Sequence, residues 1–160
     1  MEPQSDLTFE RYYNLSLRYI SYRPRSKKEV EDYLVSKKIS VENISKIVKR
    51  LEELRFINDL EFSKFWFEQK TRIKPKALKT IQFELLQKGV EKETVLRALE
   101  ELGKGAEDDL KNAKLLTERK LRSLRNVSPE KRKQRLIGYL QCRGYGFDVI
   151  KKILDVEFLR

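Results

Sequence analysis

The sequence has no histidine, one cysteine and one tryptophan in 160 residues, with only six glycines and four prolines. Without histidine there is no imidazole to activate a nucleophile, no ordinary proton shuttle at neutral pH, and no ligand for most zinc sites. A single cysteine, Cys142, excludes an intramolecular disulfide and gives no sign of an oxidising compartment. Near a helix end, it is expected to be a small buried apolar group. No apolar run reaches the roughly 18 residues of a membrane span, and the start, MEPQSDLTFERYY, lacks a signal core. A soluble, cytoplasmic protein is expected. There is no metal-ligand spacing, phosphate-cradling glycine loop or nucleophile motif. The acidic pairs Glu52-Glu53, Glu100-Glu101 and Asp108-Asp109 are neighbours on polar faces and do not converge. The expectation is a protein without cofactor or metal that is not an enzyme.

Positive charge and helical pattern are what the chain does have. The net charge is +11, with 38% charged and 39% hydrophobic residues, so the chain reads as mostly solvated helix with enough apolar groups for small cores. An excess on that scale calls for an anionic partner, whether nucleic acid, a membrane surface or an acidic protein face. The charge is biased toward the C-terminus: residues 1–58 carry net +3, 59–105 net +2 and 106–160 net +6.

The pattern is clearest over residues 73–102. Ala77, Leu78, Ile81, Leu85 and Leu86 recur at helical spacing after Pro75, which suits a first helical turn because it needs no amide donor. Gly89 supplies the left-handed residue that ends this helix. Val95, Ala98, Leu99 and Leu102 then form the stripe of a second helix. The same arrangement occurs upstream and downstream. With Ile39, Val90 and Tyr145 as anchors, Leu34, Leu85 and Leu140 stand five residues before, and Ile44, Val95 and Ile150 five after. Pro24 and Pro75 share a slot, and Pro129 is one residue off. A period near 50 residues is the signature of a repeat array whose small cores spread along a line.

In chain order, residues 1–8 are expected to be a flexible leader, with Thr8 capping a helix that runs to about Tyr22. Ser26 with Glu29 forms a capping box for a second helix ending at Lys37 or Lys38. Ser40 caps a third helix, with Ile44, Ile47, Val48, Leu51 and Leu54 as its stripe. Asp59 is expected to cap the first helix of the next repeat, and Gly103-Lys104-Gly105 is a linker. Ala106–Arg125 is a polar helix, and Ser128-Pro129-Glu130 starts another that Gly144 terminates. Val149, Ile150, Ile153 and Leu154 line the last. No strand pattern is present. The fold class is all-α, as three tandem three-helix repeats over residues 9–58, 59–105 and 106–160.

Three basic clusters are candidate contacts for a polyanion. Arg18, Arg23, Arg25, Lys27 and Lys28 surround the turn into the second helix, with Arg23 and Arg25 flanking a rigid proline. Lys70, Arg72, Lys74 and Lys76 surround the matching turn of repeat two. Residues 119–135 hold Arg119, Lys120, Arg122, Arg125, Lys131, Arg132, Lys133 and Arg135 against Glu130 alone, a local +7 suited to phosphate neutralisation. The aromatics Tyr12, Tyr13, Tyr19, Tyr22, Phe62, Phe65, Trp66 and Phe67 lie at helical spacing and suit core packing better than base stacking. Phe65, Trp66 and Phe67 are consecutive, so they cannot all face one core.

Four segments in fixed order carry a resemblance. They are Leu17-Arg18-Tyr19-Ile20-Ser21-Tyr22-Arg23-Pro24-Arg25-Ser26 with Glu29 and Leu34, then Asp59 with Phe62, then Glu84-Leu85-Leu86-Gln87-Lys88-Gly89-Val90, and last Tyr139-Leu140-Gln141-Cys142-Arg143-Gly144-Tyr145. Together they resemble the RecX regulatory proteins, bacterial modulators of the RecA recombinase, over about residues 12–156. The departures are Lys37-Lys38 where the family has a Lys-Gly turn, Ser63 where alanine is common, and Tyr145 where phenylalanine is usual. The resemblance implies an elongated, curved array of three three-helix repeats. It further implies binding in the groove of a RecA filament on single-stranded DNA, with inhibition of ATP hydrolysis and strand exchange. Duplex DNA is left open as a ligand, no membrane partner is expected, and the chain is expected to act as a monomer. The alternative is a stand-alone DNA-binding protein that reads bases through helix-turn-helix pairs.

Overall fold

The computed structural model describes residues 3–159, and every regular element among them is an α-helix. The helices are α1 (Pro3–Ser21), α2 (Lys27–Ser36), α3 (Val41–Glu53), α4 (Asp59–Arg72), α5 (Leu78–Gln87), α6 (Lys92–Glu101), α7 (Ala106–Ser123), α8 (Pro129–Cys142) and α9 (Phe147–Phe158). They form a tandem helical repeat fold, three helices to a repeat. None is long and apolar enough to cross a membrane.

Local sequence accounts for most boundaries. Ser26 accepts from the Glu29 amide while Glu29 accepts from the Ser26 amide at 3.0 Å, so the capping box at α2 is complete. Ser40 accepts from the Asn43 amide at the start of α3. The middle helix of each repeat ends on a left-handed residue: Lys38 (φ 59°), Gly89 (φ 78°) and Gly144 (φ 85°). Lys38 therefore takes the place of glycine in the first repeat, at a cost of about 1 kcal/mol.

Four expectations are corrected. Residues 3–8, read as leader, belong to α1, so Thr8 lies inside the helix and not at its start; Pro3 tolerates the first position because it needs no donor. Met1 and Glu2 of that leader lie outside the described residues. The cap of α4 is Asn58, whose Oδ1 accepts from the Leu60 and Glu61 amides at 3.0 and 3.1 Å; Asp59 is turned elsewhere. Pro75 does not open α5, which starts three residues later at Leu78; its carbonyl accepts from the Tyr145 hydroxyl at 3.1 Å. Cys142 is exposed, because the last turn of α8 presents it to solvent.

The chain divides into two compact units, Met1–Phe65 with Leu85–Ala98, and Trp66–Glu84 with Leu99–Arg160. The first has a core of Tyr13, Val30, Leu34, Ile39, Ile47, Leu51 and their neighbours, with Tyr19 stacked on Tyr33 at 4.0 Å. The second has a core of Ala77, Ala113, Leu116, Leu136, Leu140, Tyr145, Ile150 and Ile153. Most of these side chains are wholly apolar, so burial costs little and contributes about 1.5–3 kcal/mol per large residue.

Inside each unit, successive repeats are joined by the same interlock. The N-terminus of a middle helix lacks partners for its first amides. In the first unit, the Asp59 carboxylate of α4 accepts from the Lys27 amide at 2.9 Å. In the second, Asp109 of α7 accepts from the Leu78 amide at 2.9 Å. The end of the next repeat's middle helix closes the joint. The Ser26 hydroxyl donates to the Lys88 carbonyl at 2.7 Å, and the Ala77 amide donates to the Arg143 carbonyl at 2.9 Å. The chain passes so close here that a Cβ on Gly89 would overlap the Lys28 side chain, and one on Gly144 would overlap Thr80.

Burial raises the pKa of Asp59 and of Asp109, and each backbone hydrogen bond only partly offsets it. Glu29 behaves oppositely. Burial pushes its pKa up, but Arg23, the Ser26 amide and Lys88 together hold it below the usual carboxylate value. Asp59→Ala and Asp109→Ala should each lower stability by about 1–2 kcal/mol in urea unfolding, whereas the Asn variants keep the acceptor and should stay within about 0.5 kcal/mol of the parent. The sign of the pH dependence follows. A raised carboxyl pKa makes the parent's contribution largest below the unfolded value and smaller as pH rises through the folded one. Asp59→Asn should therefore compare best with the parent at pH 7 and lose that advantage on acidification, while the contribution of Glu29 disappears as pH falls through its lowered pKa.

Candidate functional site

The α4–α5 turn, residues 73–77, is held on three sides by groups of the same unit. Arg119 of α7 donates to the Ile73 carbonyl at 2.8 Å, Arg143 at the end of α8 donates to the Lys74 carbonyl at 3.3 Å, and Tyr145 holds Pro75. The interlock requires this, since it brings the end of α8 against the start of α5. Two basic clusters distant in sequence, 70–76 and 119–125, thereby meet.

Tyr139 lies beside them on α8, half-buried. The Lys120 ammonium stands over its ring at 5.0 Å and the Arg143 guanidinium at 5.5 Å. Arg72 at the end of α4, Lys74 on the turn, Arg122 in the last turn of α7 and Arg125 just beyond it are exposed and make no ion pair among the described residues. The turn's own polar groups are tied down. Trp66 Nε1 donates to Glu84 at 3.0 Å, Lys76 pairs with the same carboxylate, and Lys70 stands over the Trp66 ring at 4.6 Å. Burial raises the Glu84 pKa, but Lys76, Trp66 and Lys70 outweigh it and hold the group ionised. This is an electropositive surface with one aromatic face beside it, and the unit that carries it has 20 basic against 12 acidic residues. Phosphates are attracted by such a field, and the ring holds two of its cations in place.

The candidate residues sort by what they already hold. Arg23 pairs with Glu29 at 2.7 Å, Lys27 with Glu52 at 3.2 Å, and Arg132 donates to the Arg125 carbonyl at 3.1 Å. The Glu52 hydrogen bond raises the Lys27 pKa. Arg25 lies on the Tyr19 ring at 4.1 Å. These side chains serve the fold first. Arg18 and Lys28 of the first unit are exposed, Arg18 beside Tyr22 and Lys28 against Gly89. Arg135, Lys131 and Lys133 are exposed on α8. Tyr139 and Arg143 were missed among the candidates. The signal was available: Arg143 occupies in repeat three the slot of Lys88, which bonds Glu29 at 3.1 Å. Of the three consecutive aromatics, Phe67 is buried and Phe65 and Trp66 are half-buried.

Models of the first, second and third three-helix domains of RecX match residues 13–51, 58–99 and 107–154, in that order. The chain belongs to the RecX family. A "Regulatory protein RecX" of Oceanobacillus iheyensis is 32% identical over 148 residues, 92% of this chain and 54% of that protein. The one of Bacillus subtilis is 33% identical over 143 residues, 89% of this chain and 53% of that protein. The chain thus spans about half the length of the curated relatives it matches. The crystal structure of RecX from Lactobacillus salivarius superposes with a TM-score of 0.79 at 26% identity, covering 95% of this chain and 97% of that one. The RecX family comprises regulatory proteins, and the three-helix domains its models describe run here in unbroken order.

If Arg119 and Arg143 are structural posts of the turn while Arg72 and Lys74 are not, stability should separate them. Arg119→Ala and Arg143→Ala should each lower the thermal midpoint by about 2–3 °C, and Arg72→Ala and Lys74→Ala by less than about 1 °C. Differential scanning calorimetry of the four variants checks this.

Proposed function

We propose that this protein regulates the RecA recombinase by binding RecA filaments assembled on single-stranded DNA, and that its effect is inhibition of ATP hydrolysis and strand exchange. Membership of the RecX family carries this reading. The surface around Tyr139 supports it: exposed cations outside any ion pair among the described residues are suited to a phosphate backbone, and the fixed turn costs little entropy on binding. The protein acts without catalysis. It lies along the filament groove as a monomer, bridges recombinase protomers, and resists the conformational cycling that ATP turnover requires.

In this reading the contacts divide. Arg72, Lys74, Arg122 and Arg125, with Tyr139, meet DNA, because phosphate contacts position a protein without reading sequence. Residues tied within the fold, such as Arg23, Lys27 and Lys76, keep the scaffold and touch DNA little.

The test is the DNA-dependent ATPase rate of RecA from the same organism, titrated with this protein, beside its binding to bare oligo-dT at two salt concentrations. The rate should fall at concentrations that leave bare oligo-dT unbound. Joint replacement of Arg72, Lys74, Arg122 and Arg125 by alanine should weaken inhibition and flatten the salt dependence by roughly 0.7 in log–log slope for each phosphate no longer neutralised. Tight binding to bare DNA with an unchanged ATPase rate would reject the reading and favour a stand-alone DNA-binding protein.

A further inference from the structure

The turn that ends α3 departs twice from its counterpart in the second repeat. There the third helix ends on Gly103 (φ 60°), followed by Lys104, whose amide bonds the Leu99 carbonyl at 3.1 Å. In the first repeat the same hydrogen bond runs from the Phe56 amide to the Leu51 carbonyl at 2.8 Å, but the left-handed residue is Arg55 (φ 59°) and the next is phenylalanine. A side chain in the left-handed region costs stability that glycine does not. A phenylalanine at this position normally packs back on the helix, yet Phe56 is 51% exposed. Both departures disfavour folding, and they stand side by side.

They frame a pocket. Pro24, Arg25, Arg55, Phe56, Phe62 and Phe65 line an open pocket of about 330 Å³ in the first unit. Three of these side chains are aromatic, and two are guanidinium groups. Arg25 Nε is buried and has no hydrogen-bond partner among the described residues, though Tyr19 stacks on the guanidinium. A buried donor left open costs stability unless something accepts from it. The only carboxylate of the lining, Glu61, already holds Lys64 at 3.1 Å. What remains is a net positive rim over an apolar ring slot.

We propose that this pocket docks a short protein segment in which an aromatic residue is flanked by carboxylates. The ring fills the slot beside Phe56, Phe62 and Phe65, and the carboxylates accept from Arg25 and Arg55. The volume admits one aromatic side chain, with its flanking acids at the open rim. A nucleic-acid strand suits it less, because a polyanion needs a run of phosphate contacts and this unit carries net +3, against +8 for the unit around Tyr139. The proposal does not depend on the recombinase: it concerns a different unit and a different ligand chemistry.

The test uses the full chain and fluorescein-labelled peptides in fluorescence polarisation. The probe Gly-Ser-Asp-Phe-Asp-Ser-Gly should bind with a dissociation constant of about 10–100 µM. Replacing its Phe by Ala, or both Asp by Asn, should weaken binding at least about fivefold. Phe56→Ala and Arg55→Glu should weaken it at least about tenfold with an unchanged melting midpoint. Arg55→Gly separates binding from folding: it relieves the left-handed strain, so it should raise the midpoint while still weakening the peptide. Equal binding by the parent and Phe56→Ala, or no binding at 1 mM peptide by a folded parent, overturns the proposal. So does loss of oligo-dT binding in Phe56→Ala with the peptide unaffected, which would assign the slot to a base.

Discussion

One interaction recurs and the rest of the structure depends on it: a carboxylate from the first helix of one repeat caps the middle helix of the repeat before. Asp59 does this for α2 and Asp109 for α5. A helix start is a cluster of unmet donors with a partial positive charge, so a carboxylate is a fitting partner. Desolvating that carboxylate is costly, and burial raises both pKa values. The joint therefore holds through several groups acting together. The carbonyl ends of the next middle helix accept from Ser26 and Ala77, and a glycine allows the approach. This is how small repeats, each too small to bury its own apolar face, form a stable chain.

The candidate surface around Tyr139 is a by-product of that joint. Closing α8 onto the start of α5 brings Arg143 to Lys74 and leaves Arg119 on Ile73. Charges that stand far apart in sequence become neighbours around Tyr139. The same joint in the first unit uses Glu29 as its centre, bonded by Arg23, Lys88 and the Ser26 amide. There the cations are consumed by structure. One architecture thus yields a neutralised joint in one unit and an open cationic one in the other. The pocket beside Phe56 adds a third character, in which aromatic surface rather than charge dominates.

The internal repeats make departures meaningful. Lys38 takes a backbone angle that the other repeats give to glycine, and Arg55 one that the second repeat gives to Gly103. Lys38 is exposed at its turn, and nothing in the structure explains its presence there. Arg55 is different, because its side chain lines a pocket beside an exposed phenylalanine and a guanidinium nitrogen of Arg25 that has no partner among the described residues.

Much of the fold was legible in the sequence. The period near 50 residues, the Ser26–Glu29 box, and Gly89 and Gly144 are local signals, set by helix propensity, caps and backbone angles within a few residues. The family resemblance was legible for the same reason, since it rests on these turns. Other features were not. Asp59 looks like a cap for its own helix, yet it caps α2, because Asn58 is one residue closer to that task. Pro75 looks like a helix start but lies in a turn whose carbonyls are claimed by Arg143 and Tyr145. Arg143 is marked only by sharing the repeat slot of Lys88, and Tyr139 by nothing in its own neighbourhood. Composition alone determined that the protein is basic, helical and without histidine chemistry. Which cations serve the fold and which remain open to a partner was decided only by tertiary structure, because that depends on carboxylates and carbonyls brought in from 59 and 69 residues away.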